Sequence, residues 1–95
     1  MRSQLLAARA AALFASELPT GSQPAAGTVH AAIAAAVHAY GGTRGCVATM
    51  AAAYGDYPET AAPRMRWALA VITRDVHHAS RAKAQVEPER QLIAA

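Results

Sequence analysis

Apolar side chains recur at helical spacing in four segments of the chain, and no useful length alternates apolar and polar residues as a strand would. Stretches rich in Gly and Pro separate the segments, namely LPTGSQPAAG, GGTRG and YGDYPET. The predicted helices cover about residues 3–18, 29–40, 46–54 and 60–86. This pattern predicts an all-α fold, a compact bundle of four helices with a long fourth helix. We expect a single domain over residues 1–95, with 87–95 as a tail, because Pro88 should end the preceding helix.

The start of the fourth predicted helix depends on two prolines. A helix that began at Pro58 would hold Pro63 as its sixth residue, where the ring and the missing amide hydrogen disturb the first turns. With Thr60 as the N-cap, Pro63 falls within the first turn, where its amide would have no intrahelical partner. We therefore predict Thr60 as the cap. Thr28 is the predicted N-cap of the second helix, because its hydroxyl can accept a free backbone N–H there.

The fourth predicted helix has two apolar stripes. The stripe predicted to face the core consists of Met65, Leu69, Ile72 and Val76. A second patch, centred on Trp67 and Val71 and flanked by Arg64, lies well around the helix. Because one small bundle should not need both, we predict a homodimer or another partner that covers Trp67 and Val71.

Composition supports a small core and a mildly basic surface. Of the 95 residues, 27 are Ala, which favours helices but supplies little apolar area. Eight of the nine basic residues are Arg, and the net charge is +3. Such a charge permits contact with nucleic acid without requiring it. A domain of this size buries a modest core, so burial against a partner would stabilise it.

The spacing of Ala51, Gly55 and Ala61 matches a known two-helix arrangement. A small residue, a Gly four positions later that opens a turn, and a small residue six further on allow two helices to cross closely. Over roughly residues 29–72 the chain thus resembles a helix-turn-helix DNA-binding domain. A plain corner in an Ala-rich bundle fits the same spacing.

The resemblance implies double-stranded DNA as a partner and regulation of transcription as a role. Thr60, Arg64 and Arg66 stand at or near the start of the fourth helix, where a recognition helix contacts DNA. Arg44 and Arg74 would bind phosphates. The alternative is a non-enzymatic helical module, or a homodimeric adaptor, that binds another protein.

A further likeness concerns the phrase RMRWA, which is similar to a small protein type of GC-rich actinobacteria. The preference for Arg over Lys fits such a genome. This likeness implies no activity.

The remaining chemistry gives no enzyme or metal site. The four histidines, His30, His38, His77 and His78, diverge on their helices, whereas a metal site needs side chains that converge. We expect no cofactor, no small-molecule substrate and no catalytic group. The lone Cys46 excludes a disulfide within the chain. Arg9 interrupts the N-terminal apolar run and no apolar run is long enough to span a membrane, so we expect a cytoplasmic protein.

Overall fold

The computed structural model describes the backbone of residues 2–94 and the side chains of residues 4–78. Four helices follow one another, and the described backbone contains no strand: α1 (Arg2–Ala15), α2 (Ala26–Ala39), α3 (Thr43–Asp56) and α4 (Pro58–Ala94). The predicted all-α bundle with a long fourth helix is confirmed. No helix in this described part is both long and apolar enough to cross a bilayer.

Helix α1 lies at the centre of the bundle and packs against α2, α3 and α4. Five consecutive residues, from Ala10 to Phe14, are buried, so neighbours cover every side of the helix at this level. Three of the five are Ala, whose short side chains let neighbouring helices approach closely.

The main core lies where α1, α2 and α4 meet. Its buried residues are Leu13, Val29, Trp67, Ala68, Val71 and Ile72. A second cluster joins Ala12, Ala36 and Cys46, and it uses small side chains throughout.

The predicted core face of α4 was wrong for two of its four residues. Leu69 and Val76 are 38% and 48% exposed, whereas Trp67 and Val71 are buried. The buried face is centred on Ala61 and Ala68, between the two apolar stripes that the sequence shows. Alanine adds little to an apolar pattern, although it allows a close helix contact. The prediction relied on large apolar side chains and therefore placed the centre of the buried face of α4 too far around the helix.

The prediction that Thr60 caps α4 was also wrong. A single residue, Tyr57, separates α3 from α4, and its carbonyl oxygen accepts the amides of Thr60 and Ala61 at 3.2 and 2.9 Å. Pro58 takes the first helical position, where a missing amide hydrogen costs nothing. Pro63 is then the sixth residue of α4. It is exposed, as is Glu59, so water can solvate the Glu59 carbonyl that lacks its usual donor.

Other predicted helix ends also moved. Thr28 lies inside α2, and Ala25 stands at the N-cap without a side-chain hydrogen bond. The predicted tail, 87–95, is helical to Ala94, and its last residue lies outside the described backbone. Between α2 and α3 the chain turns at Gly41 and Gly42, whose φ angles of 75° and 110° favour glycine.

Candidate functional site

The connection between α1 and α2 is fastened to α4 by Arg64. Its Nε and Nη2 donate to the carbonyl oxygens of Phe14 and Ser16, both at 2.8 Å, and its Nη1 donates to Thr20 Oγ1 at 2.9 Å. The last carbonyls of α1 have no intrahelical donor, and a cation near them also interacts favourably with the negative end of the helix dipole. Arg64 therefore caps the end of α1.

Aromatic rings enclose the same guanidinium. Its central carbon lies 5.6 Å from the ring centre of Phe14 and 5.0 Å from that of Trp67. Burial lowers the pKa of the Arg64 side chain. The guanidinium nevertheless stays charged, because an arginine in a protein does not lose its proton.

Two further α4 side chains hold the connection farther along. Trp67 Nε1 donates to the Ser22 carbonyl oxygen at 2.7 Å, and Arg74 Nη2 donates to the Pro24 carbonyl oxygen at 2.6 Å. Arg74 also forms an ion pair with Asp75 at 3.3 Å. Together with Arg64 they fix the path of residues 16–25 along α4.

These contacts bear on the five residues predicted to bind DNA. Arg64 faces its own chain, and Arg74 donates to its own chain although its side chain is 43% exposed. Thr60, Arg66 and Arg44 are exposed, and Thr60 Oγ1 donates to the Tyr57 carbonyl oxygen. Arg64 and Arg66 are two positions apart on a helix, so they point to nearly opposite sides. The structure does not bring the predicted set together on one face.

The turn expected from the helix-turn-helix spacing is also absent between α3 and α4. Gly55 lies inside α3, and its φ is not positive. Ala51 is exposed, and only Ala61 is buried as the spacing requires. The expectation that Gly55 opens the turn was wrong, whereas DNA binding itself remains a prediction.

Trp67 and Val71 do not form an exposed patch. They are 9% and 4% exposed within the single chain, and the Trp67 indole already has its hydrogen-bond acceptor. Their burial contradicts the prediction that these two residues cover a dimer or partner interface. The reason is that the buried face of α4 lies farther around the helix than the predicted core stripe, so it includes Trp67 and Val71.

A groove of about 450 Å³ runs beside α2. The end of α1 and the residues that follow it form one wall, including Ser16, Glu17 and Leu18. Alanines of α2 form the other wall and the floor, namely Ala31, Ala32, Ala35, Ala36 and Ala39. Thr28 and Tyr40 mark the two ends of the helical wall. Because Arg64 binds the Ser16 carbonyl, the first wall is held in place by α4.

The lining of the groove is poor in charged residues. Glu17 is the only Asp, Glu, Lys or Arg among the residues that line it, and the sequence from Leu18 to Thr43 contains none of these four types. The outer face of α2 is exposed and carries His30, Ala34 and His38 beside the groove, so the expectation that His30 and His38 diverge was wrong. An exposed helix normally carries charge on its solvent face. The charge-free stretch is the sequence signal that could have indicated this surface, and the apolar pattern alone did not.

Comparisons with protein-family models, with curated proteins and with solved structures find no match to this chain. Among residues 4–78, no three His, Cys, Asp or Glu side chains are grouped so that they could hold a metal ion. The groove beside α2 is a concave surface lined mainly by alanines, and we take it as the candidate site.

Proposed function

We propose that this protein is a non-enzymatic helical interaction module, which binds a helix of a protein partner in the groove beside α2. The observation that carries the proposal is the exposed, charge-free face of α2 together with its alanine-lined groove. Charged residues are depleted at the centre of protein interfaces, because ions lose hydration there.

The small side chains that line the groove suit the close approach of a helix. Helix axes pack 8–10 Å apart, with the shorter distances at small side chains. Five alanines line the α2 side, so a partner helix can approach the backbone closely. The opposite wall is held by the hydrogen bond from Arg64 to Ser16. A wall that is already ordered lowers the entropic cost of binding.

Double-stranded DNA is a second candidate partner, and the exposed Arg44 and Arg66 favour it. In a chain of net charge +3, these side chains could bind phosphates. Their contribution would show as affinity that falls steeply with rising salt. A polarisation titration with random duplex at two salt concentrations tests this. Binding that is lost in Arg66→Ala would support DNA over the groove as the functional surface.

The interaction proposal is tested with a displayed library of helix-forming peptides. The protein is immobilised at low surface density so that copies cannot pair, and selected peptides are compared on two variants. Ala35→Glu places a carboxylate in the groove, whereas Ala52→Glu places the same group on the exposed face of α3. We expect Ala35→Glu to abolish binding and Ala52→Glu to preserve it. Peptides that bind both variants equally, or no binders at all, would contradict the proposal.

A further inference from the structure

We infer that the helix that occupies the groove is α2 of a second copy of this chain, with the two copies related by a two-fold axis. The inference rests on the proposed function, since it names the partner of the same groove. In a two-fold interface both copies contribute the same patch, so that patch must complement itself in shape and in charge.

The shape of α2 meets this requirement. Ala31, Ala35 and Ala39 are spaced by four residues and line the groove. His30, Ala34 and His38 have the same spacing on the neighbouring exposed face, and the two histidines are the large side chains there. Rows spaced by four residues are the ridges that fit between the rows of a facing helix. One copy thus carries both a ridge and the hollow that can receive it.

The charges also allow two copies to meet at this face. With no Asp, Glu, Lys or Arg from Leu18 to Thr43, the contact places no like charges opposite each other. Elsewhere the chain has a net charge of +3, which repels a second copy. Glu17, the one acid that lines the groove, has a carboxylate that can accept an imidazole N–H from His30 or His38 of the second copy.

The accessible surface of one chain is large for its mass. It is 6806 Å² for 9.8 kDa, whereas a folded monomer of this mass exposes about 5,200 Å². The long α4, which extends the molecule to 59 × 25 × 23 Å, contributes to this excess.

The test is sedimentation velocity of the full chain from about 5 to about 500 μM, which brackets the affinities of small interfaces. We expect the unaltered chain to dimerise. Ala35→Glu should raise the dissociation constant at least about 100-fold, because the interface would bury an unpaired carboxylate from each copy. Ala52→Glu, which adds the same charge on α3, should leave it unchanged. Circular dichroism of both variants confirms that each is folded.

Three outcomes decide between the possibilities. Loss of the dimer in Ala35→Glu alone supports the inference. A dimer that persists in Ala35→Glu overturns it, because the contact then lies elsewhere. An unaltered chain that stays monomeric throughout also overturns it, and if that chain still binds selected peptides through Ala35, the proposed function stands with a different partner.

Discussion

Two junctions of this bundle hold their helices together in different ways. Where α1 meets α4, large side chains fill the space and α4 side chains bind the backbone of residues 14–24. Where α1 meets α2 and α3, the buried cluster is Ala12, Ala36 and Cys46, none of which extends far from the backbone. The first junction is held by large apolar side chains and by hydrogen bonds from side chains to the backbone. The second junction is held by the close approach of helix backbones.

The difference determines what each junction tolerates. A junction filled by large side chains loses stability when atoms are removed, because a cavity remains. A junction of small residues has few atoms to lose, so added atoms are the more damaging change. Substitutions that remove atoms from the first junction and add them to the second therefore test the comparison directly.

The largest effect is expected at the first junction, for Trp67→Ala. The indole is 9% exposed, lies in the main core and donates to the Ser22 carbonyl oxygen. Its loss should lower the free energy of unfolding by about 3–5 kcal/mol. Urea denaturation followed by circular dichroism measures it.

Leu69→Ala is the matched control for Trp67→Ala. Leu69 lies two residues farther along the same helix and is 38% exposed. Its substitution should change stability by about 0.5 kcal/mol. A larger loss for Leu69→Ala than for Trp67→Ala would restore the core face that the apolar pattern predicted.

The fold class could be predicted from sequence because the positions of the Gly- and Pro-rich turns agreed with the helical spacing of apolar residues between them. Glycines at 41 and 42 mark the α2–α3 turn, and the long apolar period after Tyr57 marks α4. The face of α4 could not be predicted so well. Ala61 and Ala68 carry little weight in a pattern, yet they occupy the closest contacts. The start at Pro58 was missed because the local cost of Pro63 was weighed without its exposure to water.

The candidate site was harder to predict than the fold. Arg64 and Arg66 are alike in a sequence motif, but the structure turns one toward Phe14 and leaves the other exposed. Which side of a helix meets the core depends on tertiary contacts that spacing alone does not define. The groove beside α2 is marked in sequence only by missing charges, since alanines pack in a core and at an interface equally well.

A smaller effect is expected next to the second junction, where the start of α3 meets the end of α2, for Gly45→Ala. A Cβ at this position would overlap the carbonyl oxygen of Tyr40, a backbone atom that cannot rotate away. In an ordinary helix, Ala in place of Gly stabilises by up to about 1 kcal/mol. Here we expect a net loss of about 2 kcal/mol, because the turn between α2 and α3 must shift.

Gly55→Ala provides the control on the same helix. Nothing lies within 4 Å of a Cβ at Gly55, and its φ is not positive. This substitution should raise stability by about 0.5–1 kcal/mol. Thermal unfolding of both variants gives the comparison, and an equal sign for the two changes would show that α3 does not approach the Tyr40 backbone as described.

The smallest effect is expected for Arg64→Lys, which keeps the charge and removes the fork. A lysine ammonium is a single point donor, so it cannot reach the Phe14 and Ser16 carbonyls and Thr20 Oγ1 together as the guanidinium does. The guanidinium is only partly buried, and water can replace part of what is lost, so we expect a loss of about 1 kcal/mol. Arg66→Lys on the exposed side should change the free energy of unfolding by no more than about 0.5 kcal/mol.

The same two variants also bear on DNA binding, because a phosphate contact would largely survive an exchange of one cation for another. If duplex binding were retained in Arg64→Lys while stability fell, the guanidinium fork would serve the cap of α1 and not a bidentate contact with a base. Equal stability of the two variants would instead mean that the fork contributes nothing to the first junction.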